Sequence, residues 1–335
     1  MHDERPPKGS RGKKGRRRPP SDPRHPACWP TWAGLGLLRL LTLLPVPALG
    51  RLGDGLGLLL WALAPGRRHI VRTNLQLAFA DRTRAERRRL ERAHFRSAAR
   101  GVLEGALAWW APIERLTPHY TVEGLEHLEA AREAGRGVIL LLPHHTTIEM
   151  GGRIISHHVP DFHPSYKPTK DAAFNAAMVR ARSDSVAGLL RSDDMRAILR
   201  ALRSGGVISY SPDQDFGRQG TVFAPFMGVP TSTLTMTARL ARTSGAPIVP
   251  LHCRRLPGNR WHVRLEPALR DFPSGDDAAD AARINRVIEE QVAQAPEQYL
   301  WLHRRFKTRP EPGAPSPYRK AGRAASGREA PGSGG

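Results

Sequence analysis

Cysteine is scarce in this chain: only Cys28 and Cys253 occur among its 335 residues. Two cysteines cannot build a metal framework, and a chain of this length buries enough apolar surface to fold without a disulfide. Structural disulfides are also rare in proteins that face the cytosol. The sequence therefore indicates a cytosol-facing protein without a disulfide scaffold.

Several motifs that mark common chemistries are missing as well. Neither GxGxxG nor GxxxxGK[ST] occurs, so the usual glycine-rich phosphate loops are not expected. HExxH is absent, and the spacing of the central histidines matches no standard zinc site; these are His144, His145, His157, His158 and His163. No GxSxG segment supports a serine nucleophile. We expect neither a metal nor a tightly bound cofactor.

Acidic residues are few relative to basic ones, 31 against 52, which gives a formal net charge of +21. This excess implies an acidic partner, such as nucleic acid, an anionic membrane, a phosphorylated substrate or an acidic protein. Residues 1–27 form a basic arm that we expect to be disordered. No aromatic residue precedes Trp29, so the arm offers no platform for stacking bases. A basic, membrane-tethered nucleic-acid binder stays as a disfavoured alternative.

Two apolar runs follow the arm, from Trp32 to Leu49 and from Leu56 to Ala64. The first falls slightly short of the roughly 20 residues that a simple span needs, and it contains Arg39. Basic residues flank the runs on both sides, which favours a re-entrant or interfacial hairpin over a clean crossing. We expect residues 28–66 to be a membrane-associated helical segment, residues 67–310 a catalytic domain, and residues 311–335 a disordered tail.

The remaining pattern predicts an α/β fold with a mixed, mostly parallel central sheet flanked by helices. Short apolar runs bounded by glycine or proline are typical of buried strands. We predict strands within 137–143, 162–166, 207–211 and 246–252, an edge strand over 260–265, and helices over 84–108, 174–182, 193–203, 231–243 and 278–293. In such sheets, ligands bind beyond the carboxyl ends of the strands.

His144, His145 and Glu149 follow directly after the first of these buried strands. His145 and Glu149, at positions i and i+4, would share a helix face, whereas His144 would meet Glu149 only from a preceding turn. The spacing alone leaves the choice of histidine open. A histidine held by a carboxylate can remove a proton from an acceptor hydroxyl, which predicts a membrane-bound transferase.

Four segments of the chain together resemble the late acyltransferases of lipid A biosynthesis, most of all the Kdo-dependent lauroyltransferase branch. The resemblance extends from about Leu35 to Arg309. The segments that carry it are His144-x4-Glu149, Ser211-Pro212-Asp213-Gln214-Asp215-Phe216-Gly217, Gly245-Ala246-Pro247-Ile248-Val249-Pro250, and the run from Ala295 to Pro310. The last segment is the longest and the most specific.

The resemblance implies transfer of a fatty acyl chain from acyl carrier protein to the 3-hydroxyacyl hydroxyl of a Kdo-bearing, tetraacylated lipid A precursor. It selects His144 as general base with Glu149 as its partner. It also suggests that Arg182 stabilises the oxyanion, with Arg180 as the competing assignment. The acyl carrier protein thioester is then a donor substrate, and no cofactor is needed.

The resemblance also marks four candidates for substrate binding: Lys167, Asp213, Asp215 and Arg218. Lys167 stands where the family has arginine, which keeps the charge but loses bidentate geometry. Asp213 and Asp215 would either shape the acceptor or acyl pocket or cap the next helix.

The expected partners are acyl carrier protein, the lipid A precursor and anionic inner-membrane lipids, with no nucleic acid. The expected location is the bacterial inner membrane, with the catalytic domain facing the cytoplasm. An acyltransferase acting on another glycolipid or on a glycerophospholipid is the alternative.

Overall fold

The computed structural model describes residues 21–133 and 135–319. Most of the predicted basic arm and residues 320–335 of the predicted tail lie outside the described residues. A short 3-10 turn, Pro26–Cys28, leads into four helices: α1 (Trp29–Leu41), α2 (Val46–Leu63), α3 (Pro65–Ala78) and α4 (Arg84–Trp110). Pro30, Pro47 and Pro65 lie in the first turns of α1, α2 and α3, where the missing N–H costs no hydrogen bond.

Helix α2 is long and apolar enough to cross a membrane, by length and composition alone, and 28% of it is buried. Its glycines let it lie directly against α4. A Cβ at Gly53 would come within 2.9 Å of the Arg100 Cα, and one at Gly57 within 2.6 Å of the Phe95 carbonyl oxygen. One face of α2 is therefore covered by protein, while leucines on the rest of its surface are exposed.

Helix α4 begins where the sequence predicts a helix boundary. The Thr83 hydroxyl accepts a hydrogen bond from the Glu86 N–H at 3.2 Å, and the Glu86 carboxylate accepts one from the Thr83 N–H at 2.7 Å. This reciprocal capping box satisfies two N–H groups that a helix start leaves unpaired. The helix runs to Trp110, two residues past the predicted end.

The central sheet is seven-stranded, in the order β1-β9-β8-β2-β5-β3-β4. Its strands are β1 (Tyr120–Glu123), β2 (Val138–Leu141), β3 (Phe162–Tyr166), β4 (Leu190–Arg191), β5 (Val207–Tyr210), β8 (Ile248–Leu256) and β9 (Arg260–Leu265). Every neighbouring pair is parallel except β8 and β9. The predicted mixed, mostly parallel sheet is confirmed.

The helices that follow α4 cover the two faces of this sheet. They are α5 (Ile113–Leu116), α6 (Leu125–Arg132), α7 (Ile148–His158), α8 (Ala172–Ser183), α9 (Met195–Arg203), α10 (Met236–Ser244) and α11 (Asp277–Gln294). Alternate residues of β2 pack into opposite layers: Ile139 and Leu141 into one, Val138 and Leu140 into the other. This two-residue period explains why the whole strand is apolar.

Two predicted elements were wrong. Strand β9 lies between β8 and β1, so it is not an edge strand. The predicted helix over 231–243 begins only at Met236, because residues before it form β7 (Val229–Leu234), paired with β6 (Thr221–Phe226). The turn between them, Met227-Gly228, has positive φ at both residues, as a two-residue hairpin requires. The β-branched residues that alternate along β7, Val229, Thr231 and Thr233, were the missed signal.

The segment after α11 is anchored in the core. Trp301, Arg305 and Phe306 are fully buried. Tyr318 is also buried, and its hydroxyl accepts a hydrogen bond from the Phe306 N–H at 3.0 Å and donates one to Asn74. Tyr318 therefore anchors the described end of the chain to the domain, and the disordered tail expected over residues 311–335 stays a prediction. The proposed domain limits at residues 27, 66 and 310 stay predictions.

Candidate active site

The loop between β2 and α7 presents His144 at the carboxyl edge of the sheet. The C-terminal segment fixes this loop through backbone hydrogen bonds: the Leu300 N–H donates to the His144 carbonyl at 2.9 Å, and the Thr146 N–H donates to the Gln298 carbonyl at 2.7 Å. Residues that the sequence resemblance placed in its longest motif thus hold the histidine loop in place.

Asp213 is the carboxylate that holds the His144 imidazole. Its Oδ1 lies 2.7 Å from His144 Nδ1, and its Oδ2 accepts the His144 backbone N–H at 2.9 Å. Asp213 follows β5, the parallel neighbour of β2, so the two strand ends meet at the same edge. The sequence did not predict this pairing with the histidine, and the suggested part of Asp213 in substrate binding stays a prediction.

The electrostatics of this pair define which nitrogen is basic. Burial lowers the pKa of His144, but the charge and hydrogen bond of Asp213 outweigh it and raise that pKa above its usual value. Burial raises the pKa of Asp213, yet His144 and Arg305 hold it well below its usual range. Because an ionised carboxylate only accepts hydrogen bonds, Nδ1 must carry the proton, which leaves Nε2 as the basic nitrogen.

Glu149 has other partners, which corrects its predicted role. Its carboxylate accepts hydrogen bonds from Trp109 Nε1 at 2.8 Å and Arg182 Nε at 3.1 Å, and Arg182 Nη2 contacts its second oxygen. Within residues 21–133 and 135–319, no hydrogen bond joins Glu149 to His144. Glu149 lies in the first turn of α7, whereas His144 lies in the preceding loop and turns toward β5.

Arg182 is brought to this site, and Arg180 is not. Arg182 lies in the last turn of α8 and forms the bidentate contact with Glu149. Arg180 occupies the same turn but is exposed. The geometry therefore places Arg182, rather than its competitor, beside the histidine motif.

Two cavities meet at Glu149. The larger, of about 330 Å³, is lined mainly by apolar side chains and also by His144 and Glu149; its apolar lining includes Val102, Ala106, Trp109, Phe174, Leu300 and Leu302. The smaller, of about 70 Å³, is lined by Arg182 and shares Trp109, Ile148 and Glu149 with the larger one. Both residues of the predicted motif thus border an apolar cavity.

His145, the alternative that spacing left open, is among the residues that line the larger cavity, but it lacks a carboxylate partner among the described residues. Its side chain is buried, and burial lowers the pKa of His145 to about 4. Its ring centroid lies 4.7 Å from that of His252. This low pKa favours the neutral form of His145, whereas His144 is paired with the Asp213 carboxylate.

The other three predicted substrate-binding residues line neither cavity. Lys167 is exposed, with its ammonium 5.6 Å from the Phe216 ring centroid. The Asp215 carboxylate accepts the Thr308 N–H at 2.7 Å, and the Arg218 guanidinium donates to the carbonyls of Arg309 and Pro310. Asp215 and Arg218 therefore fasten the C-terminal segment, and their suggested part in substrate binding stays a prediction.

Sequence reasoning missed a buried network beneath the histidine loop. Arg255 Nη1 donates to the Ser97 hydroxyl at 2.9 Å, which in turn lies 2.7 Å from the Thr146 hydroxyl. Gln298 pairs with both backbone groups of Arg255, at 2.8 and 2.9 Å. The motif around Gln298 was a usable signal, whereas nothing in the helical pattern of α4 singled out Ser97.

Helix α4 reaches this loop because residue 101 is glycine. A Cβ there would lie 2.2 Å from the Thr146 carbonyl oxygen, closer than any side chain tolerates. In the part of the chain that the structure describes, no three His, Cys, Asp or Glu side chains form a group that could hold a metal ion.

Comparison with known proteins gives one consistent result. Residues 20–308 match the family described as "Bacterial lipid A biosynthesis acyltransferase". The chain is 38% identical over 296 residues to the lipid A biosynthesis lauroyltransferase of Escherichia coli (strain K12), covering 88% of this chain and 96% of that protein. It is 35% identical over 288 residues to the palmitoleoyltransferase of the same organism, covering 85% and 94%. A lipid A biosynthesis acyltransferase of Haemophilus influenzae is 34% identical over 300 residues, covering 88% and 95%.

Proposed function

Because the chain belongs to the family of bacterial lipid A biosynthesis acyltransferases, we propose that it acylates the 3-hydroxyacyl hydroxyl of a Kdo-bearing lipid A precursor, with acyl carrier protein as the donor. The observation that carries the proposal is the His144–Asp213 pair at the wall of an apolar cavity. A base that borders an apolar cavity suits an acceptor whose reactive hydroxyl is part of an acyl chain.

In the proposed reaction, Nε2 of His144 takes the proton of the acceptor hydroxyl as its oxygen attacks the thioester carbonyl. Asp213 stabilises the imidazolium that forms. When the tetrahedral intermediate collapses, the C–S bond breaks and the imidazolium returns the proton to the leaving thiolate. The products are a new ester and the free thiol of the carrier protein. A positioned base of this kind is worth about 10²–10⁴ in rate.

Arg182 supplies the positive charge for the oxyanion in this proposal. Glu149 engages its Nε and Nη2, and Trp109 fixes Glu149 in turn, so the guanidinium is held in one orientation. A planar guanidinium has five N–H donors, and two contacts to Glu149 leave the others for the oxyanion. Glu149 acts through Arg182 and is a positioning residue.

The placement at the inner membrane rests on the exposed apolar residues of α1, of α2 and of the turn between them. Trp29, Leu40, Leu43 and Leu63 are each more than 60% exposed. Asp54 of α2 is paired with Arg96 and Arg100 of α4, which ties α2 to the catalytic domain and favours an interfacial arrangement over a free-standing span. Since the donor is cytosolic, the domain faces the cytoplasm. The basic surface suits acidic acyl carrier protein and anionic lipids.

The test is an assay of the purified protein with acyl carrier protein thioesters and a Kdo-bearing tetraacylated precursor, followed by mass spectrometry of the lipid. We expect one added acyl chain, loss of the activity in His144→Ala, and full activity in His157→Ala, which changes an exposed histidine. In parallel reactions, the acceptor is replaced either by the same precursor without Kdo or by a lysophospholipid. Preferential acylation of the lysophospholipid would overturn the proposed acceptor.

A further inference from the structure

The end of α2 places a tryptophan next to an exposed apolar surface. Leu59, Leu60 and Leu63 are between 50% and 71% exposed, and Trp61 is half-buried among them. The Trp61 indole N–H donates to Glu91 Oε1 of α4 at 2.9 Å. Tryptophan is enriched where the apolar part of a bilayer meets the headgroups.

Three guanidinium groups surround the Trp61 ring. The Cζ atoms of Arg68, Arg88 and Arg92 lie 5.1, 6.0 and 4.6 Å from its centroid. They come from α3 and α4, so the fold brings them together. Among the described residues, none of the three lies within salt-bridge distance of a carboxylate. Trp61, Arg68 and Arg88 line a cavity of about 510 Å³, which we call the Trp61 cleft; Arg92 lies at the Trp61 ring but is not part of this lining.

The charge in this cleft is unbalanced. Arg72, Arg84 and Arg87 also line it, and Glu91 is the one acid among the lining residues within the described chain. Glu91 is already engaged by Trp61 and by Arg72, whose Nε lies 3.2 Å away. Cations that converge without a counter-charge repel one another, and a bound anion relieves that repulsion. Planar guanidinium groups match the oxygens of a phosphate.

We propose that the Trp61 cleft binds the phosphate diester of an anionic phospholipid. Arg68 and Arg88 contact the phosphate, Arg92 adds positive charge beside the Trp61 ring, and the acyl chains lie along the exposed leucines of α2. The position of the cleft, where the apolar surface ends, is that of a lipid headgroup. Neither His144 nor any other residue of the catalytic cavity lines it, so binding there is independent of the proposed reaction.

The experiment measures binding and needs no turnover. The full chain in detergent is titrated calorimetrically with dioctanoylphosphatidylglycerol, with dioctanoylphosphatidylcholine and with inorganic phosphate. We expect the anionic lipid to bind about tenfold or more tightly than the other two, and the double variant Arg88→Ala with Arg92→Ala to lose about tenfold or more of that affinity.

The matched control is the double variant Arg196→Ala with Arg200→Ala, which removes two exposed arginines with the same spacing from α9. It should bind phosphatidylglycerol like the unchanged protein. Because Arg88 and Arg92 are exposed, their removal leaves the core intact, and a thermal melt checks this. The variant Arg88→Lys with Arg92→Lys should keep part of the affinity.

Three outcomes would overturn the proposal. One is equal loss of affinity in the two double alanine variants, which would show a diffuse charge effect. Another is inorganic phosphate binding as tightly as the lipid, which would indicate a free-phosphate site. The third is a result in which the variant Arg88→Ala with Arg92→Ala binds the lipid as tightly as the unchanged protein but binds acyl carrier protein more weakly. That result would make the cleft a protein-docking surface.

Discussion

Two carboxylate–cation pairs lie near the carboxyl edge of the sheet, and they differ in burial. The Asp213 side chain is 1% exposed and holds a histidine, whereas Glu149 and Arg182 are 24% and 23% exposed. Water screens the second pair more than the first. The buried carboxylate therefore tunes the pKa of its partner, and the more exposed pair mainly fixes the orientation of a guanidinium. The effects of variants on kcat and on its pH profile separate these two roles.

The largest effect is expected from His144→Ala, which removes the base. We expect kcat to fall by about 10²–10⁴ or more, because a hydroxyl is a poor nucleophile without a proton acceptor. The circular dichroism spectrum should be unchanged, since the side chain borders a cavity. A variant with near-normal kcat would refute the assignment of the base.

Asp213→Asn should lower kcat by about 10²-fold or more and also move the pH profile. Catalysis requires neutral His144, so activity rises with pH through its pKa, and Asp213 raises that pKa. Removing the carboxylate lowers the pKa, so the acidic limb of the kcat profile should shift to lower pH. A limb that stays in place would mean that Asp213 does not tune the base.

Arg182→Ala should reduce kcat by about 10²-fold, the usual cost of losing one oxyanion donor. Arg180→Ala is the matched control on the same helix, and we expect its kcat to stay within about twofold, as for an exposed residue away from the site. Equal losses in both variants would argue against an oriented guanidinium and for general electrostatic attraction of substrate.

The smallest effect is expected from Glu149→Gln, which keeps the shape and removes the charge that holds Arg182. We expect kcat to fall by about tenfold, and the acidic limb of the kcat profile to stay at the same pH. The double variant Arg182→Ala with Glu149→Gln should lower kcat little more than Arg182→Ala alone, because both residues contribute to the same oriented guanidinium. If Glu149 were instead the partner of His144, this variant would shift the limb and Asp213→Asn would not.

The sheet and most helices could be predicted because periodicity and boundary signals are local. The apolar run of β2 and the capping box of Thr83 and Glu86 each involve residues that are close in sequence, so both can be predicted without the fold. The β6–β7 hairpin was missed because its positive-φ turn uses Met227, a residue type that gives no turn signal. The threonines of β7 favour a strand, but this preference is weak evidence until the partner strand is known.

The sequence alone singled out residues 144, 149 and 213, because strand ends mark polar groups at one edge of a sheet, and the family resemblance suggested Arg182. It did not decide which of them touch. His144 and Asp213 are 69 positions apart, and they meet only because β5 is the strand that pairs with β2. Strand order depends on the packing of the whole domain, so only the tertiary structure assigned Asp213 to the histidine and Glu149 to Arg182.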